Sequence, residues 1–319
     1  MSSQIRVRST SPLRALTLFV LTLVCASTLA QPAVNNRPDE PGTGPFPALK
    51  EADPTLSDQV VYRPADLDAM GDTKLGVVAW GNGGCSFDGA SSRFHLLELA
   101  SHGYLVIAGG QILSGPGAPE RTPLAEGEQP PRTSWTSLKQ AVDWALAENA
   151  RKDSKYFGRI DPAMVALSGF SCGGVQVNHV AGDPRVKTLV MHNTGILNTP
   201  LPVDNPVTDM DLGKEALDAI HTPLIYILGG ESDIAYANGM DDFNRISLVP
   251  VAAANIDRGH GGTFSDTNGG SAAQVAVKWL DWQLRGDRQG ALYFIGPDCG
   301  LCRDPGWTLD RKFRGVVAP

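Results

Sequence analysis

The stretch "VALSGFSCGGVQ", residues 165–176, decides the fold of this chain. Its first residues are apolar, as in a buried strand, and they lead into the pattern G-x-S-x-G at residues 169–173. This pattern is typical of a sharp turn between a strand and a helix, which exposes the hydroxyl group of its serine. It also occurs where small residues merely pack a helix on a strand. The residues around the turn decide between a reactive Ser171 and a structural one.

Strand-like and helix-like segments alternate on both sides of this turn. Strands are predicted at residues 74–80, 104–110, 163–169, 185–193, 222–230 and 248–256, and helices at residues 91–103, 134–150, 172–182 and 271–287. Such alternation is typical of an α/β protein with a mostly parallel central sheet and helices on both faces. The sequence contains neither an internal repeat nor a second apolar core, so it predicts one domain.

The first 30 residues have the pattern of a secretory signal peptide. Three arginines precede a short apolar run at residues 15–26, and the small residues of "STLAQPA" offer a cleavage site after Ala30. The run is shorter than a comfortable membrane span. Cys25 would suit a lipoprotein, but Val24 is bulkier than the small residue expected before a lipidated cysteine. We therefore expect a secreted protein, either extracellular or periplasmic.

The rest of the chain is predicted to contain an extended leader and a single catalytic domain. The leader, residues 31–57, is rich in Pro, Gly and Asn, and the domain covers residues 58–319. Loss of the three arginines with the signal peptide changes the formal net charge from −7 to −10. An acidic surface argues against nucleic acids and anionic membranes as partners. We expect a monomer.

Four cysteines remain after Cys25, an even number that favours two disulfides in a secreted protein. Three connectivities are possible. The spacing of Cys299 and Cys302 also fits half a zinc site or a redox motif, but no second such pair exists, so a short structural link is favoured. No cluster of histidines and acids has metal-ligand spacing, so neither a metal nor a cofactor is expected.

A reactive serine needs a base, and the base needs an acid that orients it. Among six histidines, His260 stands out because it lies in the loop "DRGHGGTF", between the last apolar strand and the last helix. Glu231 and Asp233 follow the preceding strand, and Asp233 reaches further beyond the strand end. The chain order Ser171, Asp233, His260 is that of the α/β-hydrolase fold. The sequence therefore predicts a serine hydrolase.

Four segments resemble the secreted bacterial cutinase and polyester hydrolase family and the related dienelactone hydrolase-like group. They are "FHLLELASHGYLVIAGG", "SLKQAVDWALAENARKDSKYFGRIDPAMVALSGFSCGG", "TPLIYILGGESDIA" and "GHGGTF". The similarity extends from about residue 74 to about residue 284. It implies the α/β-hydrolase fold, with Ser171 as nucleophile, Asp233 as acid and His260 as base.

The same resemblance implies that the backbone N–H groups of Cys85 and Cys172 form the oxyanion hole. Two amides that bind one oxygen lie close together, so the Cα atoms of these residues could fall within the ~4.4–6.8 Å range of a disulfide. We therefore hypothesise a Cys85–Cys172 bond, which leaves Cys299 to pair with Cys302. Unlinked, buried thiols are the alternative.

The predicted substrate surface comprises "NGGCSFDGASS", residues 82–92, and the loop at residues 111–133. Candidate pocket residues are Ser86 and Phe87 in the first of these segments, together with His192 and Asn193 at the end of a predicted strand. The expected substrate is a small or polymeric ester. Activity should rise between about pH 5 and pH 8, because His260 must be neutral to act as a base.

These features predict a secreted serine esterase. Two other classes fit the same residues: a peptidase or acyltransferase with the same three side chains, and a non-catalytic protein that binds a ligand or partner on a hydrolase fold.

Overall fold

The computed structural model describes residues 37–120, 125, 127–201 and 207–313. These residues belong to one compact unit, Ala33–Pro319. The predicted signal peptide, with Cys25, and residues 31–36 of the predicted leader lie outside the described residues.

Strands and helices alternate through most of the described chain. The strands are β1 (Ala48–Asp53), β2 (Leu56–Pro64), β3 (Leu75–Gly81), β4 (Tyr104–Gly109), β5 (Ile160–Phe170), β6 (Thr188–His192), β7 (Leu224–Leu228), β8 (Val251–Ile256) and β9 (Trp307–Lys312). The α-helices are α1 (Arg93–Ser101), α2 (Thr136–Ala150), α3 (Cys172–Val180), α4 (Tyr236–Arg245), α5 (Gly270–Arg285) and α6 (Arg288–Phe294).

All these strands form one sheet in the order β1-β2-β4-β3-β5-β6-β7-β8-β9. The strands from β3 to β8 run parallel to one another. The antiparallel pairs lie at the two sides of the sheet, where β1 pairs with β2, β2 with β4, and β8 with β9. The predicted α/β class and the mostly parallel sheet are therefore confirmed.

Two apolar cores cover the two faces of the sheet. Along β3, Val77 and Ala79 point into the core formed with α2, α3 and α4, whereas Val78 and Trp80 point into the core formed with α1, α5 and α6. Successive side chains of a strand face opposite sides, so a strand covered on both faces must be apolar throughout. This requirement explains why β3 was recognisable as a continuous apolar run.

The elements that the sequence analysis did not predict are β1, β2, β9, α4 and α6. Strand β1 and the first residues of β2 lie inside the segment predicted to be an extended leader. The outer strands β1 and β9, "ALKEAD" and "WTLDRK", are rich in charged residues and largely not buried. Charges are common on edge strands because they oppose pairing with other chains, and they also remove the apolar pattern that marks a central strand.

The carboxyl ends of the parallel strands meet at one edge of the sheet. The segments that follow β3, β5, β6, β7 and β8 therefore lie along that edge, where reactive groups collect in open parallel sheets. They carry, in that order, Cys85, Ser171, Asn193, Asp233 and His260. Within the described ranges, none of the helices has the length and apolar character needed to cross a membrane.

Candidate functional site

Ser171 lies in a tight turn between β5 and α3. Its backbone has φ 54° and ψ −121°, a conformation that a residue other than glycine rarely adopts. Such strain costs on the order of 1–3 kcal/mol and persists only where neighbouring groups hold it. Here the Ser171 N–H donates to the His192 carbonyl oxygen at 3.0 Å, and the Thr194 hydroxyl donates to the Ser171 carbonyl oxygen at 2.7 Å. These bonds tie the turn to the end of β6.

The glycines around this turn are required because three backbone segments touch. A Cβ atom on Gly173 would lie 2.0 Å from the carbonyl carbon of Gly81, and one on Gly169 would lie 2.5 Å from the Gly173 oxygen. No side chain fits at such distances. The small residues of G-x-S-x-G therefore allow α3 to start directly against the ends of β3 and β5.

The loop after β8 brings His260 to Ser171. The Nε2 atom of His260 lies 2.9 Å from Ser171 Oγ, and its Nδ1 atom lies 2.6 Å from Asp233 Oδ1. An ionised carboxylate only accepts hydrogen bonds, so Nδ1 carries the ring proton and Nε2 of the neutral ring accepts the serine hydroxyl proton. The structure thus brings together the three side chains that the sequence analysis singled out.

Asp233 is buried, and both of its oxygens accept hydrogen bonds. Oδ1 accepts from His260 and from the Ala235 N–H at 2.8 Å, and Oδ2 accepts from the Asn193 side chain at 3.0 Å and from the Gly229 N–H at 3.3 Å. Burial acts to raise the pKa of Asp233, but the bonds from His260 and the backbone outweigh it and hold the pKa below its usual value. The carboxylate therefore stays ionised at neutral pH.

Aromatic side chains pack beside the imidazole of His260. The Phe170 ring lies 5.2 Å from the His260 ring, and the Phe264 ring lies 4.6 Å from that of Phe170. The His260 side chain nevertheless remains 28% exposed. The Ser171–His260 pair is therefore accessible from solvent, while Asp233 behind it is not.

The cysteines pair as hypothesised. A disulfide joins Cys85 to Cys172, with their Cα atoms 5.3 Å apart, and a second one joins Cys299 to Cys302 at 5.0 Å. The first links the loop after β3 to the first residue of α3. The second joins two cysteines three positions apart in the segment before β9. Disulfides are typical of proteins that fold in an oxidising compartment.

The two predicted oxyanion donors differ in their surroundings. The Cys172 N–H, at the amino end of α3, has no acceptor among the described residues, and the helix dipole there favours a developing negative charge. The Cys85 N–H donates to the Asn82 carbonyl oxygen at 3.1 Å. In this structure, only the Cys172 group of the pair is therefore free for an incoming oxyanion.

Of the candidate pocket residues, Ser86 and Phe87 are partly exposed, whereas His192 and Asn193 are buried. His192 and Asn193 thus lie beneath the Ser171–His260 pair and not on the surface through which a substrate approaches. The loop at residues 111–133, part of the predicted substrate surface, reaches the sheet edge that carries Ser171. Its Arg132 side chain donates to the Gly84 carbonyl oxygen at 2.6 Å.

Glu231, Asp242 and the other histidines have different surroundings from Asp233 and His260. Glu231 is exposed, and Asp242 is buried in α4, where it accepts a bond from Lys214 at 2.5 Å. Burial is the main reason that the pKa of Asp242 is raised. The remaining histidines comprise two buried side chains, two that bond to neighbouring residues and one exposed side chain: His95, His192, His102, His179 and His221.

The contacts that Asn193 and Thr194 make with the site were not predicted from the sequence. Their signal was the polar pair directly after the apolar strand in "LVMHNT", at the same sheet edge as Ser171. Such a position indicates a role at the site but does not distinguish contact with a substrate from contact with a catalytic side chain.

A surface cavity of about 350 Å³ lies away from this site. Its lining includes Ile220, just before β7, and Val249, just before β8, so it lies at the amino-terminal edge of the sheet. Among the described residues, no group of three or more His, Cys, Asp or Glu could hold a metal ion. Comparisons of the chain with protein-family models and with curated proteins give no match.

Proposed function

We propose that this protein is a secreted serine esterase of the α/β-hydrolase fold, which cleaves carboxylic esters through an acyl-enzyme intermediate. The observation that carries the proposal is the continuous pair of hydrogen bonds from Ser171 Oγ to His260 Nε2, at 2.9 Å, and from His260 Nδ1 to Asp233 Oδ1, at 2.6 Å. A serine hydroxyl is a weak nucleophile until such a base accepts its proton.

Three further features support the hydrolase fold. The serine lies at a strained turn between a strand and a helix, the acid and histidine follow later parallel strands, and their chain order is that of the fold. The resemblance to secreted cutinases and dienelactone hydrolase-like enzymes assigns the same roles to the same residues. The two disulfides fit a secreted enzyme.

In the proposed reaction, Ser171 Oγ attacks the ester carbonyl carbon while His260 Nε2 takes the hydroxyl proton. Asp233 holds the ring with its proton on Nδ1 and stabilises the imidazolium that forms. The Cys172 N–H donates to the oxyanion, aided by the amino end of α3. His260 then protonates the leaving alcohol as its bond to the carbonyl carbon breaks. In the second half of the reaction, His260 takes a proton from the attacking water and returns it to Ser171 Oγ as the acid is released.

The test is covalent labelling of the mature protein with a fluorophosphonate, followed by peptide mass spectrometry. Labelling at Ser171 and hydrolysis of 4-nitrophenyl butyrate are expected. The variant Ser171→Ala should lose label and should lower kcat by about 10⁴-fold or more. Ser232→Ala is a matched control, because this exposed serine bonds to Asp257 at 3.1 Å and does not contact His260.

Absence of label on folded protein would overturn the proposal and favour a non-catalytic binding protein. Label without ester turnover would instead indicate a peptidase or an acyltransferase. Where label and ester turnover are both found, a panel of nitrophenyl, feruloyl, acetyl-sugar and polyester substrates would define the preferred ester.

A further inference from the structure

Asn193 lies between the two loops that carry Asp233 and His260. It directly follows β6, it is only 3% exposed, and its N–H donates to the Ile227 carbonyl oxygen of β7 at 2.8 Å. Its backbone is held at φ 44°, in the left-handed region that asparagine tolerates better than most residues. The backbone of Asn193 is therefore fixed by the sheet. Its buried side chain cannot turn towards a substrate unless this backbone moves.

Both contacts of the Asn193 amide nitrogen are directed at the site. Nδ2 donates to Asp233 Oδ2 at 3.0 Å and to the Gly259 carbonyl oxygen at 3.1 Å. The amide oxygen faces Gly262, since a Cβ atom placed on that glycine would lie 3.1 Å from Asn193 Oδ1. One buried amide thus contacts the acid and the backbone on both sides of His260.

We propose that Asn193 is a positioning residue that sets the distance between Asp233 and His260 by bonding to the acid and to the histidine loop at once. The inference rests on the proposed function and adds to it a residue that touches neither the substrate nor the reacting atoms. It also revises the expectation that Asn193 lines a substrate pocket.

The geometry explains why an amide suits this position. The Asp233 carboxylate and the Gly259 carbonyl both need a donor, and a single NH₂ group supplies two. An aspartate of the same shape would supply none and would place a second negative charge next to Asp233. A misplacement of about 1 Å in a reacting group can lower the rate by about 100-fold, so loss of this positioning should lower activity by about 10–100-fold.

The experiment compares Asn193→Gly and Asn193→Asp with the unmodified protein in ester hydrolysis. Glycine adopts a positive φ freely, so Asn193→Gly removes the amide without straining the backbone. We expect kcat to fall by about 10–100-fold with little change in KM for both variants. In Asn193→Asp, the low-pH limb of the kcat profile should also move to higher pH than in Asn193→Gly, since an added negative charge stabilises the imidazolium.

The matched control is Asn255→Ala. Asn255 is also a buried asparagine near the carboxyl end of a parallel strand, but the only hydrogen bond of its side-chain nitrogen among the described residues is to the Met240 sulfur. This variant should keep kcat within about threefold of the unmodified protein, because a loss of packing alone does not move the Asp233–His260 pair.

Two outcomes would overturn the inference. An increase in KM at constant kcat would make Asn193 a substrate contact, and unchanged kinetics in folded Asn193→Gly would leave it without a role in positioning. Failure of the proposed function is distinguished by Ser171→Ala: if hydrolysis survives that substitution, the activity does not arise from this site at all.

Discussion

A disulfide joins Cys85, in the loop after β3, to Cys172, the first residue of α3, and it links positions 87 residues apart. The second disulfide links positions only three residues apart. In the chain-entropy account, the stabilisation grows with the length of chain that a disulfide closes. The Cys85–Cys172 disulfide is therefore expected to contribute more to the free energy of unfolding than the Cys299–Cys302 disulfide, and also to affect ester turnover more.

Replacing Cys85 and Cys172 by alanine should lower the free energy of unfolding by about 2–5 kcal/mol. It should also reduce ester turnover, because the amino end of α3 is no longer tied to the loop after β3. Calorimetry and kinetics of 4-nitrophenyl butyrate hydrolysis measure the two effects. The double variant Cys299→Ala, Cys302→Ala is the control, and equal losses in both double variants would contradict the prediction.

Gly173→Ala should displace the start of α3. The added Cβ atom would meet the Gly81 backbone at 2.0 Å, where no flexible side chain can move aside. We expect a loss of about 1–3 kcal/mol in stability, as for other overpacked sites, together with reduced fluorophosphonate labelling of Ser171.

Gly182→Ala is the matched control for this substitution. It lies just beyond the other end of α3, where a Cβ atom would make an ordinary contact at 3.6 Å with the Ala219 side chain. Its stability and labelling should stay close to those of the unmodified protein. If Gly173→Ala labelled as fast as Gly182→Ala, close backbone approach would not be what positions Ser171.

His95 and His192 should make the protein sensitive to acid. Both are fully buried, their ring nitrogens have no hydrogen-bond partner among the described residues, and their ring centroids lie 4.7 Å apart. Burial lowers the pKa of His95 to about 3 and also lowers the pKa of His192, where the charge of His95 adds to the effect. In the unfolded chain, both return to about 6.5.

Below about pH 6.5, the unfolded state therefore binds more protons than the folded state does. The free energy of unfolding keeps its full value only above that pH. It decreases as the pH falls towards 3, at roughly 1.4 kcal/mol per pH unit for each histidine. Urea unfolding at pH 7.5 and pH 4.5 should show a smaller loss of stability for His95→Leu, His192→Leu than for the unmodified protein. His221→Gln, at an exposed site, is the control. If the double variant lost as much stability between pH 7.5 and pH 4.5 as this control, the two buried histidines would not be the cause of the acid sensitivity.

The segment before β1 should stabilise the loop that carries His260. Arg37 donates to the Ser265 carbonyl oxygen at 2.6 Å, and Glu40 accepts a bond from the Asn268 N–H. Hydrogen bonds to charged groups contribute about 1.5–3 kcal/mol each, and the exposed bond of Arg37 should contribute less than the partly buried bond of Glu40. We expect Arg37→Ala, Glu40→Ala to raise hydrogen exchange of residues 257–269 and to lower the melting temperature.

Lys139→Ala provides the comparison, because it removes one partner of an exposed ion pair on α2. Such pairs contribute about 0–1 kcal/mol, so neither the exchange of this loop nor the melting temperature should change appreciably. Equal exchange in the two variants would show that the segment before β1 does not hold the loop.

The amino-acid sequence determined the central strands and the long helices, because a strand buried on both faces must be apolar, and α2 and α5 carry apolar residues at helical spacing on the face that packs against the sheet. It also placed Ser171, Asp233 and His260 after three different strands of one parallel sheet. Parallel strands end at a common edge, so this local information was enough to predict that the three side chains lie near one another.

Only the tertiary structure decided the edges of the sheet and the hydrogen bonds around the site. Strand β2 depends on pairing with β4 and β9 on pairing with β8, both far away in the chain, and β1 joins the sheet only through β2. The polar sequences of the edge strands β1 and β9 do not indicate these pairings. The engagement of the Cys85 N–H by Asn82 and the contacts of Asn193 with Asp233 and Gly259 likewise depend on distances and bond directions of about 3 Å. Residue type and spacing specify which groups are present, but the packed chain sets which donor points at which acceptor.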